Sequence, residues 1–233
     1  MSNPWAFTLV LENSSVITEK VVATTFEVVN EAGFFLPTPI SGISVDGKDP
    51  LAFDDAAMAL AAMCSEGGLL TFWKNAGAVC PSDICVTFDP RSKEIRVGVT
   101  YSLEKERNGD AQVAADLHTI FVCLCRRLAP LHGYATDDWG WELCFPGDDC
   151  MRDWEAFRAA VRRKEPPPVL FWTNYFDTEY FSRVDQRVFS DICHRQERLE
   201  HGVLVYLADD IWKATFGFLE PSGRYSGGIR PRQ

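Results

Sequence analysis

The stretch ICVTFDPRSKEIRVGVTYSL, residues 84–103, decides the class of fold. From Ile95 to Leu103, the apolar residues Ile95, Val97, Val99, Tyr101 and Leu103 alternate with Arg96, Gly98, Thr100 and Ser102. Successive side chains of a strand point to opposite faces, so this pattern predicts a strand with one buried and one wet face. Ile84 to Phe88 is a second apolar run. Between the two, Asp89-Pro90-Arg91-Ser92-Lys93-Glu94 is rich in turn formers, which makes the pair an antiparallel hairpin. Leu69 to Trp73 supplies a candidate neighbouring strand.

Helical periodicity surrounds this sheet material. From Asp110, the set Val113, Leu117, Phe121, Leu124 and Leu128 steps by three and four, with Asp110 placed as N-cap and Pro130 closing the end. A second helix is expected from Asp149 to Lys164 on the stripe Met151, Trp154, Phe157 and Val161, stopped by Pro166-Pro167-Pro168. Asp54 to Glu66 reads as a third, ended by Gly67-Gly68. Thr18 to Glu31 reads as a fourth, despite a β-branched content that disfavours helix. After the prolines, Val169 to Thr173 is expected as one buried strand, Asp177 to Val184 as a short helix and Val203 to Leu207 as a strand. Helices and hairpins intermingle, so the expected class is α+β, a mainly antiparallel sheet flanked by helices. The proline run is the expected boundary between an N-terminal portion, 1–165, and a C-terminal portion, 166–233, packed as one compact unit. The tail from Ser222 is expected to be loose.

Composition sets the bounds on partners. The chain has 233 residues and a formal charge of -10, from 33 acidic and 23 basic side chains. One folded unit of this size hides about 70% of the surface its unfolded form exposes, enough for a core without cross-links. The eight cysteines are therefore read as mostly buried thiols of a reducing compartment. Nucleic acid and anionic membrane both demand basic surface, so neither is an expected partner. The longest run without a polar residue, Ala56 to Cys64, is far short of the roughly 20 residues that cross a bilayer. The apolar patch Trp5 to Leu11 has no preceding base and no small-residue cleavage pattern, so no secretory signal is read and the expected location is cytoplasmic.

Catalytic and metal-binding patterns are sparse. Cys193 and His194 are adjacent in sequence and so ill placed to face one another, while Cys123 and Cys125 lie in the apolar run of the helix that carries His118. Cys80 with Cys85 and Cys144 with Cys150 lack the close spacing of structural zinc sites. His118, His132, His194 and His201 form no ligand pair, and no glycine-rich phosphate loop follows a strand. The expectation is a protein without cofactor, metal or catalytic site.

The negative charge is unevenly placed. Residues 1–116 carry 16 acids and 8 bases. In the second half, Asp137, Asp138, Glu142, Asp148, Asp149, Asp153 and Glu155 face only Arg152, a local charge of -6. Acids early and bases late in a helix complement its dipole, which accounts for part of this pattern. It does not account for Asp137, Asp138 and Glu142, which accompany Trp139 and Trp141 ahead of the helix. Aromatics provide desolvated anchors and carboxylates provide steering, so Asp137, Asp138, Trp139, Trp141, Glu142, Asp148 and Asp149 are the candidate surface for a basic partner.

Three segments resemble a known family. Asp-Asp-Trp-Gly-Trp around Trp139-Gly140, Phe171-Trp172-Thr173-Asn174-Tyr175-Phe176 with Tyr180 beyond it, and Gly202-Val203-Leu204-Val205 followed by Asp209 resemble bacterial immunity proteins of polymorphic-toxin and type VI secretion systems. Where that pattern carries a glycine after Asn-Tyr-Phe, this chain has Asp177. The resemblance implies an antidote without catalysis of its own. It implies as partner the toxin domain of a cognate effector, in one branch a DNase resembling restriction endonucleases. An effector adaptor or chaperone, and a hydrolase with a dispersed cysteine-based site, are the competing readings.

Overall fold

A computed structural model describes residues 4–12, 17–37, 39–44, 50–74, 82–103, 107, 109–137, 150–184, 189, 192–209, 212 and 216–227. The chain is α+β and mostly antiparallel sheet, divided into two compact units, Asn3–Leu128 and Ala129–Gln233.

In the N-terminal unit the order is β1 (Pro4–Val10), α1 (Glu19–Glu31), β2 (Ile40–Ile43), β3 (Pro50–Phe53), α2 (Ala56–Ser65), β4 (Gly68–Lys74), β5 (Ser82–Asp89), β6 (Glu94–Ser102) and α3 (Asp110–Leu128). Its strands pair in the order β1-β6-β5-β4-β2-β3, each antiparallel to its neighbour. The β5–β6 hairpin has the expected register, Phe88 opposite Ile95 and Asp89 opposite Glu94. Its turn is built by Asp89, whose Oδ1 accepts from the N–H groups of Arg91 (2.9 Å) and Ser92 (3.1 Å), while Lys93 takes φ 55. Ile84, Val86, Phe88, Ile95 and Val97 are completely buried. On this face α1 seats Phe26 against Phe72 and Phe88, at 5.4 and 6.1 Å between ring centroids, and α3 seats Phe121 against Phe7 at 5.0 Å.

The β-branched helix α1 exists because its stripe Val22, Phe26 and Val29 is buried, and burial outweighs the small propensity cost. Its N-cap Thr18 accepts from the Val21 N–H at 3.4 Å. Asp55 caps α2 in the same way through Met58, at 2.9 Å. Asp110 is not the N-cap of α3. It is the first helical residue, nearly buried, and the Gly109 carbonyl accepts the Val113 N–H at 3.0 Å. Gly109 at φ +91 makes the entry turn, which places Asp110 one position further in.

The C-terminal unit contains β7 (His132–Asp137), α4 (Cys150–Arg162), β8 (Val169–Leu170), β9 (Thr173–Asp177), α5 (Thr178–Arg183), β10 (Arg195–Arg198), β11 (Gly202–Tyr206), β12 (Gly217–Leu219) and β13 (Tyr225–Gly227). Four strands pair in the order β10-β11-β9-β7 and three more in the order β13-β12-β8. The core is aromatic: Tyr134, Phe157, Phe171, Phe176, Tyr180, Phe189 and Phe216 are all fully buried.

Two expectations are corrected in this unit. The second unit begins at Ala129, and the proline run is stitched into it. The Tyr180 hydroxyl donates to the Glu165 carbonyl and the Tyr225 hydroxyl to the Pro167 carbonyl, both at 2.6 Å, and the Leu219 N–H donates to the Pro168 carbonyl at 3.0 Å. Val169 to Thr173 is not one strand. Buried Asn174 accepts from the Phe171 N–H at 3.1 Å and donates to the Phe171 carbonyl at 2.5 Å, withdrawing that residue from any ladder and separating β8 from β9. The expected loose tail includes a paired strand, β13, whose Tyr225 lies opposite Leu219, and its residues 228–233 lie outside the described residues.

Candidate functional site

The candidate surface departs from the end of β7 and returns into the start of α4. Asp137 is the last residue of β7. Asp138, Trp139, Trp141, Glu142, Asp148 and Asp149 lie outside the described residues. On one side, β7 is held by β9 through the pairs His132–Phe176, Gly133–Tyr175, Tyr134–Asn174 and Ala135–Thr173. On the other, α4 buries Trp154, Phe157 and Val161, the spacing the sequence predicted. Trp154 and Phe157 stack at 5.1 Å, Tyr134 stacks on Phe171 at 4.7 Å, and Tyr134 meets Trp154 and Phe157 edge-on at 5.9 and 5.5 Å. Each aromatic pair adds about 0.5–1.5 kcal/mol beyond its buried area, so strand and helix are clamped by one cluster.

Helix α4 ends where the sequence stops it. Lys164 takes φ 56, the Glu165 N–H turns back to the Ala160 carbonyl at 3.0 Å, and the prolines follow. Lys164 is itself nearly buried. Its ammonium pairs with Glu179 and lies 3.6 Å from Asp177, while Arg183 also pairs with Glu179. Asp177 caps α5 by accepting from the Tyr180 N–H at 2.5 Å.

Part of the negative charge is consumed locally. Asp153 lies 3.8 Å from Arg152, and Glu155 lies 3.3 Å from Arg158, whose guanidinium covers the Trp154 ring at 5.6 Å. These exposed pairs contribute little stability, but they reduce the field that the helix adds to the segment before it.

His132 occupies the floor of the cluster. It is fully buried among Phe176, Tyr180, Tyr134 and Phe157, with ring centroids 4.7 to 6.1 Å away. Neither ring nitrogen has a hydrogen-bond partner among the described residues. Burial lowers its pKa to about 3, against a smaller opposing pull from the Tyr175 backbone, so the imidazole is neutral.

Burial raises the pKa of the Cys64, Cys85, Cys125 and Cys193 thiols, the reverse of what activates a nucleophile. Cys193 donates to the Arg195 carbonyl at 3.4 Å. Its neighbour His194 instead pairs through Nε2 with Asp209, both side chains being exposed. Sequence reasoning missed this pair, because it exists only once the β10–β11 hairpin, with the His194 N–H bonded to the Tyr206 carbonyl, has formed. Among the described residues no group of three His, Cys, Asp or Glu side chains is placed to hold a metal ion, and no helix is long and apolar enough to cross a membrane. Compared with known proteins, the chain matches no family model, and no curated protein aligns with it significantly.

Proposed function

We propose that this chain is an immunity protein. In this reading it acts in the cytoplasm, without cofactor, and binds the toxin domain of a cognate antibacterial effector of the type VI secretion kind. It neutralises that domain, a DNase, by covering its active site or DNA-binding face. The observation that carries the reading is the run from Asp137 to Glu155, charged -6 and bearing Trp139 and Trp141, whose first residue ends β7 and whose last residues begin α4, two elements clamped by one aromatic cluster.

A nuclease must present cations to phosphates. A carboxylate-rich inhibitor is complementary to that surface and associates rapidly with it. Asp137, Asp138, Glu142, Asp148 and Asp149 meet basic side chains in this reading, and Trp139 or Trp141 is the desolvated anchor. Steering alone is insufficient, since a Kd on the order of 1 pM corresponds to about -16 kcal/mol, which calls for buried anchors as well.

Co-expression with the product of the neighbouring reading frame tests the idea. The expected result is a stable complex in which nuclease activity is lost; absence of a complex refutes the reading, and a complex with full activity replaces it with an adaptor. The triple variant Asp137→Lys, Asp138→Lys, Glu142→Lys tests the surface, with an expected drop of roughly tenfold or more in association rate at low salt. An unchanged rate and salt dependence would remove this segment from the interface.

A further inference from the structure

The sheet of the N-terminal unit has two unlike faces. One carries Leu70, Phe72, Val86 and Phe88, all completely buried, with Phe26 of α1 against Phe72 and Phe88. Residues paired directly across strands project to the same side, so the other face is read from the register: Phe35 opposite Trp73, Ile43 opposite Leu69, Leu69 opposite Thr87, and Thr87 opposite Arg96. An antiparallel sheet with one face in water ordinarily sets polar residues there. Thr87 and Arg96 on β5 and β6 obey this rule. The β4–β2 side does not: Leu69 and Trp73 are half-buried, Phe35 is 57% exposed and Ile43 is 47% exposed. Thr71, between Leu69 and Trp73, spends its hydroxyl on the Cys85 thiol at 3.6 Å. The result is an apolar row open to solvent.

We propose that this row, centred on Phe35, Ile43, Leu69 and Trp73, is a second docking surface for the same basic protein partner; the identity of that partner rests on the reading above. The choice of occupant follows from charge. Asp83 stands opposite Trp73, and exposed Asp54 follows β3 directly. No lysine or arginine occurs between Lys48 and Lys74. Lys74 is drawn to the helix side, its ammonium 2.6 Å from the Asp116 carboxylate and 3.1 Å from the Ala32 carbonyl. An apolar centre with an acidic border complements a partner with an apolar patch bordered by bases. A second copy of this chain would bring the same acids against these, which disfavours self-association.

The test uses the full chain and the product of the neighbouring reading frame, with affinity and rates measured by surface plasmon resonance. Phe35→Ser combined with Ile43→Ser should weaken binding roughly 30-fold, mainly through faster dissociation. Both side chains are largely exposed, so the urea midpoint should be unchanged. Ile43→Lys alone, which sets a cation against a basic partner, is the second variant and should also weaken binding. Unchanged affinity in both variants, with wild-type binding intact, overturns this surface and leaves the immunity reading standing. Failure of the wild-type chain to bind overturns both. A wild-type dimer that the double variant abolishes assigns the face to a second copy and overturns the partner.

Discussion

His132 offers a quantitative test of the C-terminal core. Folding places its imidazole in a dry aromatic box where the charged form is unstable, and its pKa falls to about 3 from an ordinary 6.5. The unfolded chain retains the ordinary value. Between these two pH values only the unfolded state takes up the proton, so stability is fully present above pH 6.5 and is lost as the pH falls towards 3. Each pH unit in that window costs about 1.4 kcal/mol, which accumulates to about 2 kcal/mol at pH 5. This is a large fraction of the 5–15 kcal/mol that ordinary domains possess.

The assay is urea unfolding of the wild-type chain and of His132→Phe at pH 7.5, 6.0 and 5.0. Phenylalanine keeps an aromatic ring in the box and removes the titration; its larger ring shifts the baseline by about 1–3 kcal/mol through overpacking, but not the slope with pH. His132→Leu serves as a second non-titrating variant. Carboxylates titrating near pH 5 affect all three proteins alike and cancel in the comparison. Wild type should lose about 2 kcal/mol more than either variant on going from pH 7.5 to pH 5. Parallel pH profiles would refute the reasoning and mean that the folded chain protonates His132 without penalty.

Three further outcomes are expected. Asn174→Ala leaves the buried N–H and carbonyl of Phe171 without their partner and should cost about 2–4 kcal/mol, read from the urea midpoint; a loss below about 0.5 kcal/mol would show that the kink between β8 and β9 does not depend on this side chain. Gly202→Ala would bring a Cβ within 2.3 Å of the Phe176 carbonyl and 2.5 Å of the Tyr175 hydroxyl, so the variant should be destabilised by about 2 kcal/mol or more, and wild-type thermal stability would contradict that close approach. Iodoacetamide at pH 7 should label Cys64, Cys85, Cys125 and Cys193 more slowly than a free thiol, since burial raises all four pKa values; rapid labelling of Cys193 would revive a nucleophilic reading.

The elements legible in the sequence are those whose burial is one-sided. The hairpin β5–β6 and the helices α3 and α4 each present one apolar face, and a period of two or 3.6 records it. β1 escaped notice as a strand because every residue from Trp5 to Val10 is buried, leaving an apolar run with no alternation. β7 fails for a related reason, with four of the five residues from His132 to Thr136 buried, two of them polar. The break at Phe171 comes from a side chain bonding to backbone, a competition that hydrophobic pattern does not encode. The proline run reads as a boundary by composition, yet the tyrosine hydroxyls that capture its carbonyls come from Tyr180 and Tyr225, both distant in sequence.

The two proposed contact surfaces differ in legibility for the same physical reason that makes them separable by experiment. The segment at Asp137 to Asp149 announces itself through charge, a sum over residues that needs no three-dimensional information. The row at Phe35 and Ile43 is invisible to such counting. Ile40 and Ile43 are both apolar, and only the strand register decides that Ile40 shares the buried side with Phe53 while Ile43 shares the open side with Leu69. Charge acts at long range and governs encounter, whereas apolar contact acts on touching and governs escape. Reversing Asp137, Asp138 and Glu142 should therefore lower the association rate and its salt dependence, while truncating Phe35 and Ile43 should raise the dissociation rate. If both surfaces engage one partner through separate contacts, the two effects on binding free energy should add to within about 0.5 kcal/mol in the combined variant. A combined loss no greater than that of the charge-reversal variant alone would mean that the apolar row does not belong to the interface.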